Sequence, residues 1–194
     1  MSHAESARPL SPSARRVLDE VAAQLEQYAT AVRGLCAHGE VRHTKHGAFG
    51  PEQEPERIEE RLDASEEATT QNDFLPLLTG TAYERVELPA SSPNELSVRA
   101  VRREDAVSAG DEIAGADLMF TKEPARLVQA LLHPPAFAGI AGLLIETVES
   151  ATLFGYVNGV PLPVKISMRM WSRGIGRFRI DQETVITVRY EPCA

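Results

Sequence analysis

The Asn158-Gly159 dipeptide constrains the fold of this 194-residue chain most strongly, because it lies between two apolar, strand-like runs. A two-residue type I′ turn needs positive φ at both central positions, and Asn and Gly adopt that conformation at low cost. The run after the turn alternates between apolar residues and polar or basic ones, as a half-buried strand does. We therefore predict a three-stranded antiparallel meander over residues 151–190.

Four further segments complete the predicted fold. Residues 82–88 and 95–103 have the alternation of a second hairpin, and the Pro- and Ser-containing segment between them is typical of a loop. A helix over 122–133 is indicated by the helical spacing of Leu127, Val128, Leu131 and Leu132, and a nearly continuous apolar pattern indicates a second, buried helix over 136–149. We predict an α+β fold, in which an antiparallel sheet of about five strands carries buried helices on one face and an N-terminal amphipathic helix.

The chain is expected to form one domain. Residues 1–10 are polar and are predicted to be disordered, whereas 11–194 have the apolar content for a single α+β domain. Within that domain, 36–71 is a polar, acidic segment that we interpret as a flexible insertion. Its acidic part, 52–67, has a thin apolar stripe that suggests a short, exposed helix.

The N-terminal helix is predicted over 11–35, with Ser11 as its N-cap and Pro12 at its first position. Its apolar residues are spaced 3, 4, 3, 4 and 3 apart, which is the pattern of a coiled-coil seam. This seam predicts pairing with a partner helix, a second copy of the chain included. The alternative is a helix that faces its own core. The seam residues are Leu18, Val21, Leu25, Tyr28, Val32 and Leu35.

An aromatic and basic sheet face is the second candidate interaction surface. If the Asn158-Gly159 turn sets an unbroken register, Leu153 pairs with Val164 and joins the inner face with Ile166. The opposite face then carries Phe154, Tyr156, Lys165, Arg169, Trp171, Arg173, Arg177 and Arg179. Such a face suits single strands of nucleic acid, but it also suits a protein partner, the acidic segment of the same chain, or plain solvent exposure. A one-residue slip would exchange the two faces.

No catalytic, metal or cofactor site is predicted. Cys36, His38, His43 and His46 lie close together in the sequence, but their spacing matches no closed zinc site, so we assign no metal. The sequence contains no phosphate-binding loop, nucleophile elbow or paired Cys-His motif. This argues against an enzyme.

Charge and cysteine content bound the partners and the location. The formal net charge of −8 argues against a generally basic nucleic-acid binder. Cys36 and Cys193 are too few for a disulfide framework and are typical of a reducing compartment. The N-terminus shows no apolar signal region, and the most apolar run, 136–145, is too short to cross a bilayer. We expect a cytoplasmic protein without a membrane partner.

Three functions are consistent with these features. The first is a non-enzymatic protein–protein interaction or assembly module that forms a homo-oligomer through the helix seam or the sheet face. The second is single-stranded nucleic-acid binding through the sheet face. The third is a small-ligand carrier or an enzyme, with a pocket between sheet and helices lined by Met168, Met170, Phe178 and Tyr190.

Overall fold

One antiparallel sheet of ten strands dominates the structure, a computed structural model that describes residues 7–45, 56–61, 74–104, 114–133, 144–173 and 180–193. The strands, in chain order, are β1 (Arg8–Pro9), β2 (Leu35–Lys45), β3 (Glu56–Arg61), β4 (Tyr83–Leu88), β5 (Glu95–Arg102), β6 (Gly115–Lys122), β7 (Ala125–His133), β8 (Leu144–Val157), β9 (Val160–Arg173) and β10 (Ile180–Pro192). The helices are α1 (Pro12–Glu26), α2 (Tyr28–Ala31) and α3 (Phe74–Thr79).

The sheet follows chain order over most of its width. Strands β4 to β10 are neighbours in sequence order, β1 pairs with the outer edge of β4, and β2 followed by β3 extends the sheet beyond β10. Every pairing is antiparallel. This meander needs only short connections between neighbouring strands, which is why turn chemistry in the sequence locates several of them.

Helix α1 covers one face of the sheet, which we call the inner face. The helix begins where Ser11 Oγ accepts a hydrogen bond from the backbone N–H of Ala14, and Pro12 occupies its first turn. Its apolar stripe packs with α3 and with the inward residues of β5, β6 and β7 in one core cluster. The cluster includes Val17, Leu18, Val21, Leu77, Val98, Leu118, Phe120 and Leu127.

The two predicted hairpins are confirmed. The pair 82–88 and 95–103 corresponds to β4 and β5, and the C-terminal meander corresponds to β8, β9 and β10. Asn158 has φ of 51° and Gly159 has φ of 83°, as the type I′ turn requires. Val157 pairs with Val160 across this turn.

The α+β prediction was wrong, because most of the segments assigned to helices are strands. Residues 125–133 form β7 rather than part of a helix over 122–133. An extra residue, Val128, shifts the register between β6 and β7, so that the buried residues Leu127 and Ala130 are three apart. A bulge of this kind breaks the two-residue alternation of a strand and imitates the spacing of a helix.

The other helix predictions were wrong in extent. Residues 144–149 of the predicted helix over 136–149 begin β8, and 136–143 lie outside the described residues. The N-terminal helix does not continue to Leu35, because α1 ends at Glu26 and α2 is a short separate turn. Gly34, with φ of 77°, then lets the chain reverse into β2.

The acidic segment also contributes to the sheet. Residues 35–45 form β2, and 56–61, expected to belong to an exposed helix, form the edge strand β3. Of the predicted insertion 36–71, residues 46–55 and 62–71 lie outside the described residues. Arg8 and Pro9, within the segment predicted to be disordered, pair with Glu87 and Val86 of β4.

A disulfide joins the two cysteines, which the sequence analysis left unpaired. Cys36 at the start of β2 and Cys193 after β10 have Cα atoms 5.0 Å apart and are separated by 157 residues of sequence. The strands β2 and β10 are adjacent in the sheet, and the backbone N–H of Cys193 donates to the carbonyl of Gly34. The pairing could not be predicted from the sequence, because only the strand order brings these two distant residues together.

None of the helices in the described part of the chain is long and apolar enough to cross a membrane.

Candidate functional site

The predicted helix seam lies inside the protein. Leu18, Val21 and Leu25 belong to the core cluster between α1 and the sheet. Tyr28, Val32 and Leu35 form a second cluster with Val160 and Leu162 of β9. All six seam residues are buried, so their spacing serves packing against the chain's own sheet, which was the alternative interpretation of the pattern.

A bulge in β9 divides the predicted aromatic and basic face. Phe154 pairs with Pro163, but Leu153 pairs with Lys165 rather than with Val164, so Val164 is the extra residue. The predicted pairing of Leu153 with Val164 was therefore wrong, and so was the register of the earlier residues of β8. Because Thr152 pairs with Ile166, alternation along β8 places Phe154 on the face of Ile166, opposite to Lys165.

The structure consequently separates the residues of that face. Lys165 and Arg169 are exposed, whereas the side chains of Trp171 and Arg173 lie outside the described residues. Phe154 instead packs against the core, with its ring edge-on to Phe74 at a centroid distance of 5.1 Å. Arg177 and Arg179 lie outside the described residues.

Tyr156 takes part in a hydrogen-bond network that joins α1 to the sheet. Its hydroxyl accepts from the backbone N–H of Leu127 at 2.7 Å and donates to Gln24 Oε1 at 3.2 Å. Gln24 Nε2 in turn donates to the carbonyl of Ala125, and the Arg126 guanidinium lies 4.9 Å from the centre of the Tyr156 ring. Burial raises the pKa of Tyr156 to about 12. This network is structural, because it occupies both hydrogen-bonding functions of the phenol.

The structure describes the remaining predicted site residues only in part. Met168 is exposed, Tyr190 donates its hydroxyl proton to the carbonyl of Pro163, and Phe178 lies outside the described residues, as does the side chain of Met170. Cys36 is in the disulfide, and His43 Nδ1 lies 2.9 Å from Thr184 Oγ1. Over the described ranges, no three potential metal-binding side chains come together.

A cleft that the sequence did not indicate lies at the β4 edge of the sheet. Its volume is about 600 Å³, and it is bounded by residues 7–10, α1, the end of α3 and β4. The lining residues are Ala7, Arg8, Pro9, Leu10, Arg15, Leu18, Asp19, Leu78, Thr79, Glu84, Arg85 and Val86. No local motif signals such a site, because its walls come from three separate parts of the chain.

Arg85 is the half-buried charge of this cleft. It pairs in the sheet with Ala100, which is fully buried in the core, so alternation turns the Arg85 side chain toward the inner face. Its Nη1 donates to the carbonyl of Leu77 at 3.4 Å, and burial lowers the pKa of Arg85. Among the described residues, no carboxylate forms an ion pair with this guanidinium.

The nearest buried acid, Glu87, is already neutralised. It lies two residues along β4 from Arg85, on the same inner face, and is 5% exposed. Arg8 donates to its Oε1 at 2.5 Å, and the backbone N–H of Ser11 donates to its Oε2 at 3.2 Å. Burial raises the pKa of Glu87, but the hydrogen bonds from Ser11 and Arg8 outweigh that effect and hold the pKa below its ordinary value.

The cleft combines apolar walls with few reactive groups. Leu18 and Leu78 are almost fully buried in the apolar wall, Leu10 is partly exposed there, and Asp19 and Glu84 are exposed. Among the described lining residues there is no Ser, Cys or His, and the Thr79 hydroxyl donates to the carbonyl of Leu75. Such a lining can bind and orient a small molecule, but it offers no activated nucleophile for chemistry on it.

Comparison with known proteins adds no relationship. No protein-family model matches the sequence, and no curated protein matches it significantly.

Proposed function

We propose that this protein binds a small molecule in the cleft beside β4 and carries out no chemistry on it. The observation behind this proposal is Arg85, a half-buried guanidinium that faces a cleft of about 600 Å³ and has no carboxylate partner in the described part of the chain. An unpaired charge below the surface lowers the stability of the fold. Its presence at this position therefore supports a role in recognising a ligand.

The dimensions and the walls of the cleft support the proposal. Small-molecule sites in proteins have volumes of roughly 300–1,000 Å³ and join apolar walls to a few polar groups. Leucines from the N-terminal segment, α1 and α3 form the apolar part, and Arg85 is the polar group nearest the core. The ion pair between Arg8 and Glu87 holds the N-terminal segment against β4 and so maintains one wall.

Small-ligand binding has more structural support than assembly or nucleic-acid binding, the other two functions predicted from the sequence. Its site, however, differs from the pocket that the sequence predicted. Assembly through the helix seam would require six buried residues to leave the core. Nucleic-acid binding was argued from aromatic rings beside cations, and the β9 bulge separates Phe154 from Lys165. The Cys36–Cys193 disulfide is more typical of an oxidising compartment, so a cytoplasmic location is not part of the proposal.

A fluorescent apolar probe tests the proposal. N-phenyl-1-naphthylamine should bind the wild-type protein saturably, with one molecule per chain. Thr79→Trp places a large ring at the exposed end of α3, on the cleft wall, and should weaken binding about tenfold or more by occupying the cleft. Thr30→Trp, at an exposed position of α2 away from the cleft, is the matched control and should bind as the wild type does.

The proposal fails if the wild-type protein shows no saturable binding. It also fails if Thr79→Trp and Thr30→Trp bind the probe equally well, because the probe then occupies another part of the molecule.

A further inference from the structure

We infer that the cleft is specific for an amphipathic anion, a molecule whose carboxylate or phosphate pairs with the Arg85 guanidinium while its apolar body lies against the leucines. This inference rests on the proposed function and specifies the chemical class of the ligand.

Arg85 carries a permanent positive charge on the inner face of β4. A buried lysine or histidine can lose its proton, but a guanidinium remains charged in proteins. Arg85 lies on the inner face of β4, opposite the buried Ala100, and its hydrogen bond to the Leu77 carbonyl is long, at 3.4 Å. A guanidinium presents five N–H donors in a planar fork, and carboxylates and phosphates are the groups that match this fork with two parallel hydrogen bonds.

The described acids near Arg85 are either bonded to other groups or exposed. Glu87 is the only buried carboxylate among the described residues, and its two oxygens are bonded to Arg8 and to the Ser11 backbone. Asp19 and Glu84 line the cleft but are exposed, and neither forms an ion pair with Arg85. The described protein therefore leaves the negative partner of Arg85 to be supplied by a ligand.

The apolar lining of the cleft favours a ligand with an apolar body. Leu10, Leu18 and Leu78 come from three different segments and line the cleft, where Leu18 and Leu78 are almost fully buried and Leu10 is partly exposed. An inorganic anion would contact Arg85 alone, whereas the apolar body of an amphipathic acid would also cover the exposed part of Leu10, at a gain of about 25 cal/mol per Å² of apolar area removed from water. The cleft therefore matches an acid with an apolar body better than a free ion.

Two probes that differ by one anionic group test the inference. 1-Anilinonaphthalene-8-sulfonate has the ring system of N-phenyl-1-naphthylamine and adds a sulfonate. We expect the sulfonate probe to bind the wild-type protein more tightly than the neutral probe. Arg85→Gln should weaken the sulfonate probe about tenfold or more, as the loss of a charged hydrogen bond does, and leave the neutral probe unchanged. Arg16→Gln, at an exposed arginine of α1 outside the cleft, is the matched control.

Natural head groups are compared by displacement of the neutral probe from the wild-type protein. Decanoate and decyl phosphate should displace it at lower concentrations than decanol, and the stronger of the two anions identifies the head group. This comparison needs no variant, so it remains decisive if Arg85→Gln does not fold.

The inference is overturned if decanol competes as well as both anions, or if folded Arg85→Gln binds the sulfonate probe as the wild type does. Either result leaves the proposed function in place, provided that Thr79→Trp still weakens the neutral probe. Absence of any cleft-dependent binding overturns both the inference and the proposed function.

Discussion

Arg85 and Glu87 show how two charges on one strand face acquire different roles from their surroundings. Both point toward the inner face of β4, where an apolar residue would be the default. Glu87 is compensated within the chain by Arg8 and Ser11, so it serves stability. Arg85 has no described acid as its partner, and we propose that it serves recognition. The sequence shows only two charged residues in an alternating strand and does not distinguish these roles.

Glu87→Gln should destabilise the protein by about 2 kcal/mol at neutral pH, because the charged hydrogen bonds to Arg8 and Ser11 are lost. The pKa of Glu87 is lowered in the folded state, so its carboxylate contributes stability above the ordinary value of 4.5 and loses that contribution as the pH falls through the lowered pKa. Urea denaturation over a pH series measures this effect. The difference in unfolding free energy between the wild type and Glu87→Gln should become smaller below about pH 4.5.

Glu84→Gln is the control for that experiment, because Glu84 is an exposed carboxylate on the same strand. Its stability should stay close to that of the wild type. A Glu87→Gln deficit that is independent of pH would contradict the assigned role of the carboxylate.

Tyr156→Phe should cost about 2 kcal/mol, because it leaves the backbone N–H of the fully buried Leu127 without its acceptor. The pKa of Tyr156 is raised to about 12, so the neutral phenol stabilises the fold below its ordinary pKa of 10.0, and this contribution is lost as the pH rises toward 12. Denaturation at alkaline pH should therefore show a smaller pH dependence for Tyr156→Phe than for wild type. Equal pH dependence would contradict the network.

At the scale of elements, turns were predictable and bulges were not. The turn at Asn158-Gly159 could be located because the preference of these residues for positive φ is local. The bulge at Val128 in β7 was not predicted, because the spacing of Leu127, Val128, Leu131 and Leu132 suggested a helix instead. A bulge is selected by contacts across the sheet, and those contacts join residues that are distant in sequence.

Gly155 provides a test of the β9 bulge. A Cβ atom at this position would lie 2.7 Å from Val164 Cγ1, and Val164 is the extra residue of the bulge. Gly155→Ala should therefore cost about 1–3 kcal/mol as an overpacked site, since a β-branched side chain has little freedom to move away. In the Val164→Ala background, Gly155→Ala should cost much less stability than it does in the wild-type protein. A double-mutant cycle of unfolding free energies measures this difference. Strictly additive effects would contradict the bulge register.

At the scale of the whole molecule, the strand order brings together residues that no sequence window connects. Strands β10 and β2 are neighbours although most of the chain lies between them, and the disulfide links them at one end. The cleft likewise needs the N-terminal segment beside β4, a pairing that two residues of β1 make. Neither feature could be predicted from the sequence, because both depend on tertiary pairing rather than on local periodicity.

Reduction of the Cys36–Cys193 disulfide should lower the free energy of unfolding by about 2–5 kcal/mol. A bond across 157 residues restricts the unfolded chain strongly, and the loop-entropy estimate is about 5 kcal/mol. Urea denaturation with and without a thiol reductant measures the change. The double variant Cys36→Ser with Cys193→Ser should have the stability of the reduced protein and should not respond to the reductant. A wild-type curve that is insensitive to full reduction would contradict a structural role.

The most direct test of the central claim is to locate the bound probe by nuclear magnetic resonance of labelled methyl groups during titration with N-phenyl-1-naphthylamine. We predict that chemical shift changes concentrate on Leu10, Leu18 and Leu78, which line the cleft. Val160 and Leu162, buried in the separate cluster near α2, should change little. Changes centred on Val160 and Leu162, or no saturable change at the cleft methyl groups, would contradict the assignment of this cleft as the binding site.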